Sequence, residues 1–260
     1  MAKIIAFANQ KGGVAKTTST VNVGVALVNR GYRVLIIDCD PQASCTVALG
    51  YQTPDELEIT LSSIMENIVN ENDFDIEDGI LHNNEGVDLL PANIELAGVE
   101  VSLISIMGSE TTLKEYTDMI DEEYDFILLD CSPNLGQLTI NALSCCDYVI
   151  IPAQAAYLPA KGLEQLIKTI IRVKKKMNPK IEILGIVLTM YQKNTNYAKE
   201  MLESLNFVYG NNIRIFDTQI PLAVKAAEAP ALGVSIFVHD KRGKVASAYN
   251  SFTEEVVAHV

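Results

Sequence analysis

The segment Asn9-Gln10-Lys11-Gly12-Gly13-Val14-Ala15-Lys16-Thr17-Thr18 joins an apolar run, Ile4–Asn9, to an amphipathic stretch from Lys16 to about Arg30. The run predicts a strand. The stretch predicts a helix that stops at Gly31. A glycine-rich turn between strand and helix can aim successive backbone N–H groups at a polyphosphate, at the positive end of the helix. There the Lys16 ammonium can reach the terminal phosphates, and the Thr17 hydroxyl can bind Mg²⁺. The strict pattern G-x-x-x-x-G-K-[ST] fails, because Gln10 and Ala15 stand at its two glycine positions. The pattern K-G-G-x-x-K-[ST] fits, with Lys11 as an extra lysine at its start.

Outward from this segment the chain alternates short apolar runs with amphipathic stretches. Strands are expected at Arg33–Asp38, Gly86–Leu90, Asp125–Asp130, Tyr148–Pro152, Ile181–Thr189 and Ile213–Phe216. Helices are expected at Leu61–Val69, about 94–107, 112–121, Leu138–Ser144, Pro159–Lys176, about 195–205 and about 242–258. Val/Ile/Leu strands with little alternation and intervening helices predict an α/β fold, a mostly parallel β-sheet with helices on both faces. With no repeat, linker or low-complexity tract, residues 1–260 read as a single domain.

Apolar residues make up 48% of the chain, ample for a core. No apolar run approaches the ~18 residues of a membrane span, and Met1–Ala8 lacks the pattern of a secretory signal. Five cysteines without a C-x-x-C pair argue against a disulfide framework and a zinc site. The expected location is the cytoplasm. The net charge of −13 is uneven: residues 1–150 carry −18 and residues 151–260 carry +5. Either the two halves face different partners or these are solvated faces plus one acidic insertion.

Two further blocks place carboxylates at strand ends, where α/β proteins put ligand chemistry. Asp38 and Asp40 close Val34–Asp40, and two carboxylates there suit Mg²⁺ and water, although an Asp before Pro41 also suits a turn. Asp130 closes Phe126–Asp130. With Val149-Ile150-Ile151-Pro152, Gly185-Ile186-Val187-Leu188-Thr189-Met190, Thr218-Gln219-Ile220-Pro221 and Glu228-Ala229-Pro230, these ordered blocks resemble the ParA/MinD family of deviant Walker A P-loop ATPases, in particular its Soj-like partition branch.

The resemblance covers nearly the whole chain and implies a Mg²⁺-dependent ATPase switch for segregating plasmid, chromosome or mobile-element DNA. It implies ATP held by Lys11, Gly12, Gly13, Val14, Ala15, Lys16, Thr17 and Thr18, with the adenine near Met190 and Pro221. It implies Mg²⁺ near Thr17, Asp38 and Asp130, and catalysis by Lys11, Lys16 and Asp40. Asp40 would position the attacking water. Lys11 would reach across an ATP-dependent homodimer to the partner subunit's phosphates, much like an arginine finger. Some relatives carry Asn where Met190 stands, and most carry Gly where Ala15 stands. If position 15 needs a positive φ, alanine costs about 1 kcal/mol there.

The implied partners are a basic ParB-like protein, which stimulates hydrolysis, and DNA bound without sequence preference by the ATP dimer. Nucleoid association would follow from DNA binding. Lys174, Lys175, Lys176, Lys193 and Lys225 are the candidate DNA contacts, while Asn194 and Leu222 stand where partition relatives carry arginine. Tyr249–Val260 has only acidic charges apart from His259, unlike the basic membrane helix of the MinD branch, so no membrane partner is expected. A related reductase branch bridges its dimer with an iron–sulfur cluster, but no matching cysteine pair is found here. The alternatives are a ParA-like ATPase that positions a protein cargo without DNA, and an ATP-dependent metabolic ligase or reductase on the same fold.

Overall fold

The computed structural model describes residues 1–154, 160–193 and 195–260. In chain order its elements are β1 (Lys3–Phe7), α1 (Lys16–Val28), β2 (Val34–Cys39), α2 (Ser44–Ala48), α3 (Leu61–Val69), β3 (Leu81–His82), β4 (Asp88–Leu90), α4 (Leu96–Leu103) and α5 (Thr112–Met119). Then follow β5 (Phe126–Cys131), α6 (Gln137–Cys145), β6 (Tyr148–Gln154), α7 (Ala160–Lys176), β7 (Glu182–Thr189), α8 (Asn196–Tyr209), α9 (Val224–Ala231), α10 (Ile236–His239) and α11 (Lys244–Val257). The expected helix start at Pro159 lies outside the described residues.

The strands form one sheet in the order β3-β4-β2-β5-β1-β6-β7. Every pairing is parallel except that of β3 with β4. Side chains alternate across each strand. Ile4, Ala6, Leu35, Ile37, Ile127 and Leu129 enter a core shared with α3 to α8. Ile5, Phe7, Val34, Ile36 and Leu128 enter a second core with α1, α2, α10 and α11. Helix α1 lies tight on the sheet at Gly24, where a Cβ would come within 2.8 Å of Ile36 Cδ1. A larger residue there would have to displace the Ile36 side chain.

Several expectations change, among them three that bear on the site. β1 ends at Phe7 rather than Asn9, because Asn9 turns out of the strand. The left-handed Gly31 (φ 90°) follows the end of α1, but two residues beyond the cap Asn29. The strand expected at Ile213–Phe216 reduces to a single bridge to β7, Ile186–Ile215, and a second bridge, Tyr191–Pro221, joins the segments just beyond both. Between the bridges, the Glu255 side chain of α11 accepts the backbone N–H of Asp217 (2.9 Å) and of Thr218 (2.8 Å). Those donors are therefore lost to the sheet, and the gapped segment runs along β7 to deliver Ile220 and Pro221 to its far end.

Candidate functional site

All the parallel strands present their carboxyl ends on one side, and the loop after β1 lies across them. Asn9 makes the turn: its Nδ2 donates to Pro152 O at 2.7 Å and its Oδ1 accepts from Lys11 N at 2.9 Å. Gly13 and Ala15 both take left-handed backbone, at φ 70° and 63°. Between them Val14 is buried, and its carbonyl accepts the Thr189 hydroxyl at 3.0 Å. This bond pins the loop to the end of β7. Helix α1 then begins with no side-chain cap, so its first N–H groups are left for another acceptor.

Lys16, only 8% exposed, points its Nζ back to Lys11 O at 3.5 Å. Burial lowers its pKa from the ordinary lysine value, and the charges of Asp130, Cys131 and Asp40 oppose that shift. Thr17 donates to Asp130 Oδ2 at 2.6 Å, and Thr20, one turn on, donates to Asp130 Oδ1 at 3.2 Å. Asp38 stands opposite Asp130 in the β2–β5 register. The Thr46 backbone N–H (2.9 Å) and hydroxyl (2.8 Å) both donate to Asp38 Oδ2, and Asp40 N donates to Oδ1 at 3.2 Å. Burial, and then the charge of Asp130, push the Asp38 carboxyl above the usual range. Burial also pushes Asp130 up, against the hydrogen bond from Thr17 and the charge of Lys16. These are hard oxygen donors, which suit a cation that keeps part of its water shell, and a divalent charge would relieve the crowded carboxylates.

In front of them lies a cavity of about 370 Å³. One wall is Gly12, Gly13, Ala15, Lys16, Thr17 and Thr18, with Asp40 beside it. The opposite wall is apolar: Met190, Ile220, Pro221, Leu222, Ala223 and Ala226. The structure thus brings the loop, Asp40, Met190 and Pro221 to one cavity. Val14, Asp38 and Asp130 stand behind its surface. Lys11 also lies outside the lining, its Nζ 3.3 Å from Gln154 Oε1 at the end of β6. Sequence alone does not single out Thr46 or Tyr249, which lines the cavity and whose hydroxyl lies 3.2 Å from Ser19 Oγ. Thr20 was missed as well, although its place three residues after Thr17, on the same helix face, was a signal that could have found it.

Two lining residues hold strained backbone: Ala15, and Met190 at φ 50°. Asn takes this conformation more readily than Met. Ala15→Gly should relieve about 1 kcal/mol and raise Tm by about 2–4 °C in a chain of this size. Calorimetry checks this, and an unchanged Tm would mean that the loop carries no strain.

The candidate DNA contacts do not form one surface. Helix α7 returns antiparallel to the strands, so Lys174, whose Nζ donates to Ile181 O at 2.8 Å, lies at the amino end of β7 with Lys175 and Lys176. Lys193 lies past the carboxyl end of β7, about 25 Å away along the strand. Lys225, on α9 at the cavity, pairs with Asp240 at 3.1 Å. Asn194 lies outside the described residues, and Leu222 is a cavity wall.

A phosphate-type loop at the carboxyl ends of a parallel sheet, backed by paired aspartates, defines a P-loop nucleotide-binding protein. The model of the AAA domain family matches residues 2–183. The chain belongs to the ParA/Soj family of partition ATPases. It is 38% identical over 260 residues to the sporulation initiation inhibitor protein Soj of Bacillus subtilis, covering 100% of both chains. It is 34% identical to the chromosome partitioning protein ParA of Caulobacter vibrioides, covering 98% of this chain and 94% of that one. Among solved structures it is similar to cobyrinic acid a,c-diamide synthase from Mycobacterium smegmatis with bound ATP analog and magnesium. That match has a TM-score of 0.87 and 33% identity, covering 100% of this chain and 96% of the other. Among the described residues no helix is long and apolar enough to cross a membrane.

Proposed function

We propose that residues 1–260 work as one ATP-driven switch for DNA partition. ATP and magnesium occupy the cavity, a homodimer closes over them, and the dimer binds DNA without sequence preference until hydrolysis to ADP releases it. One observation carries this reading. The phosphate loop and Asp40 line one cavity, with Asp38 and Asp130 paired behind it, in a chain similar over its full length to partition proteins.

In this reading the uncapped start of α1 and the Lys16 ammonium hold the phosphates. Thr17 and Asp130 hold magnesium, with Asp38 beside them, and the metal supplies charge neutralisation on the phosphates. The apolar wall from Met190 to Ala226 takes the adenine. Asp40, whose Oδ1 accepts Gln42 N at 3.0 Å, orients the attacking water. Lys11 acts on the nucleotide of the partner subunit. Gly12 lets the two loops meet: a Cβ there touches nothing within 4 Å inside this chain. Gly12→Val should therefore fold and bind ATP but stay monomeric with a slowly hydrolysed analogue. A normal dimer on sizing chromatography would sink the face-to-face arrangement.

DNA binding tests the function itself. Lys225 rides on α9, whose Ala226 and Ala227 line the cavity, so Lys193 and Lys225 carry the nucleotide-dependent contact while Lys174–Lys176 add a distant one. Exposed pairing with Asp240 is weak and does not prevent phosphate contact. Wild-type protein should shift unrelated DNA sequences equally, only with ATP and magnesium, and steeply less as salt rises. Lys193→Glu with Lys225→Glu should remove the ATP-dependent part. No shift at low salt would favour a ParA-like ATPase that positions a protein cargo without binding DNA. The amide-synthase reading has one observation in its favour, the name borne by the Mycobacterium smegmatis structure. Under it, turnover would require a carboxylate substrate and ignore DNA.

A further inference from the structure

Helix α4 is apolar on both sides. Leu96, Val99 and Leu103 are buried against the core. On the outer side Val101 is 69% exposed, and the turns that extend the helix add Ile94 (54%), Ile104 (69%) and Met107 (100%). Backbone bonds from Ala97 N to Ile94 O and from Ile106 N to Leu103 O carry the helical turns to both sides of α4. Ile94, Ala97, Val101 and Ile104 repeat at steps of three and four, so they form one outward stripe with Met107 at its end. The stripe is about 20 Å long. A helix that is apolar all round is normally buried, and an exposed one marks an interaction site.

The charges around the stripe say what covers it. Between Arg33 and Lys114 there is no lysine or arginine, against 16 Asp and Glu. Glu95 and Glu100 are the acids of the helical run, Glu110 follows it, and Asp55 Oδ1 accepts the N–H of Ile94 at 3.1 Å. A second copy paired two-fold through this face would set these acids against themselves. A basic amphipathic helix would place apolar residues on the stripe and cations on its rim.

We propose that the outer face of α4, with Ile94, Ile104 and Met107, is the docking surface for a basic amphipathic helix of a partner protein. This deepens the partner named above and rests on that reading for its effect on turnover. The link to the nucleotide is Glu100. Its carboxylate lies against Gly136, which caps α6 without a side chain of its own, and accepts Leu138 N at 3.5 Å. The loop that joins this cap to Asp130 includes Pro133 of the cavity wall. A cation drawn to Glu100 competes for the carboxylate that holds this loop.

The test uses the full chain and two synthetic helices of about 18 residues, leucine at heptad a and d positions, flanked either by Lys and Arg or by Glu. Fluorescence anisotropy should show binding of the cationic peptide alone. Val101→Ser with Ile104→Ser should weaken it about tenfold or more, while Phe207→Ser with Val208→Ser, equally exposed on α8, should not. Equal binding to both double variants, or none to wild type, overturns the proposal. A nucleotide-independent wild-type dimer that Val101→Ser with Ile104→Ser converts to monomer also overturns it, in favour of a second copy. ATP binding and DNA shift by the wild type without peptide report separately on the switch, and their absence would sink that reading instead.

Discussion

Lys16→Ala should abolish measurable ATP binding in calorimetry. The residue is buried at the start of α1, with its ammonium beside the loop carbonyl of Lys11 and facing Asp130 and Asp40. Truncating one side of a buried charged pair costs about 2–5 kcal/mol, which is roughly a 30- to 5000-fold loss of affinity. The variant also removes the cation that opposes the upward shift of Asp130, so that carboxyl should titrate higher still. Near-normal affinity would mean that the phosphates do not sit against this loop. A charge-preserving Lys16→Arg is not expected to rescue binding, because a guanidinium does not fit the buried space of a lysine tip.

Asp40→Ala should leave ATP affinity within about threefold and cut turnover about a hundredfold, the scale of a positioned acid–base group. Asp40 lines the cavity but makes only local backbone bonds, accepting from Gln42 N and donating its own N–H to Asp38. Its removal therefore disturbs the reacting water and not the fold. With hydrolysis blocked, the variant should accumulate as ATP-bound dimer, visible as a persistent larger species by sizing chromatography. Unchanged turnover would pass the water-positioning role to another side chain at this cavity.

Local signals set how far the sequence could be read. Helix α3 was legible to the residue because Thr60 caps it, with Ser63 completing the capping box and Asn70 closing it. The loop from Lys11 to Thr18 was legible because its chemistry is consecutive. α2 and α10 were not, since five and four residues are too short to show a helical period. The strand at Ile213–Phe216 had the right residues but meets β7 in one bridge only, and just beyond it Glu255 of α11 takes the next two backbone N–H groups. Thr46 fastens Asp38 from a separate helix, which no spacing announces. The basic residues of the second half are near one another in sequence, yet the reversal of direction between α7 and β7 sends them to opposite ends of the sheet.

Tyr249 and Ser19, which touch near the cavity, are 230 residues apart. Helix α11 is thus a wall of a site whose loop is made long before it. On a ribosome, the loop, the aspartates and the apolar wall would all emerge before α11 completes the enclosure and covers Phe7, Val21 and Leu27. A nascent chain should therefore be unable to hold nucleotide, and unable to switch, until α11 has emerged and packed.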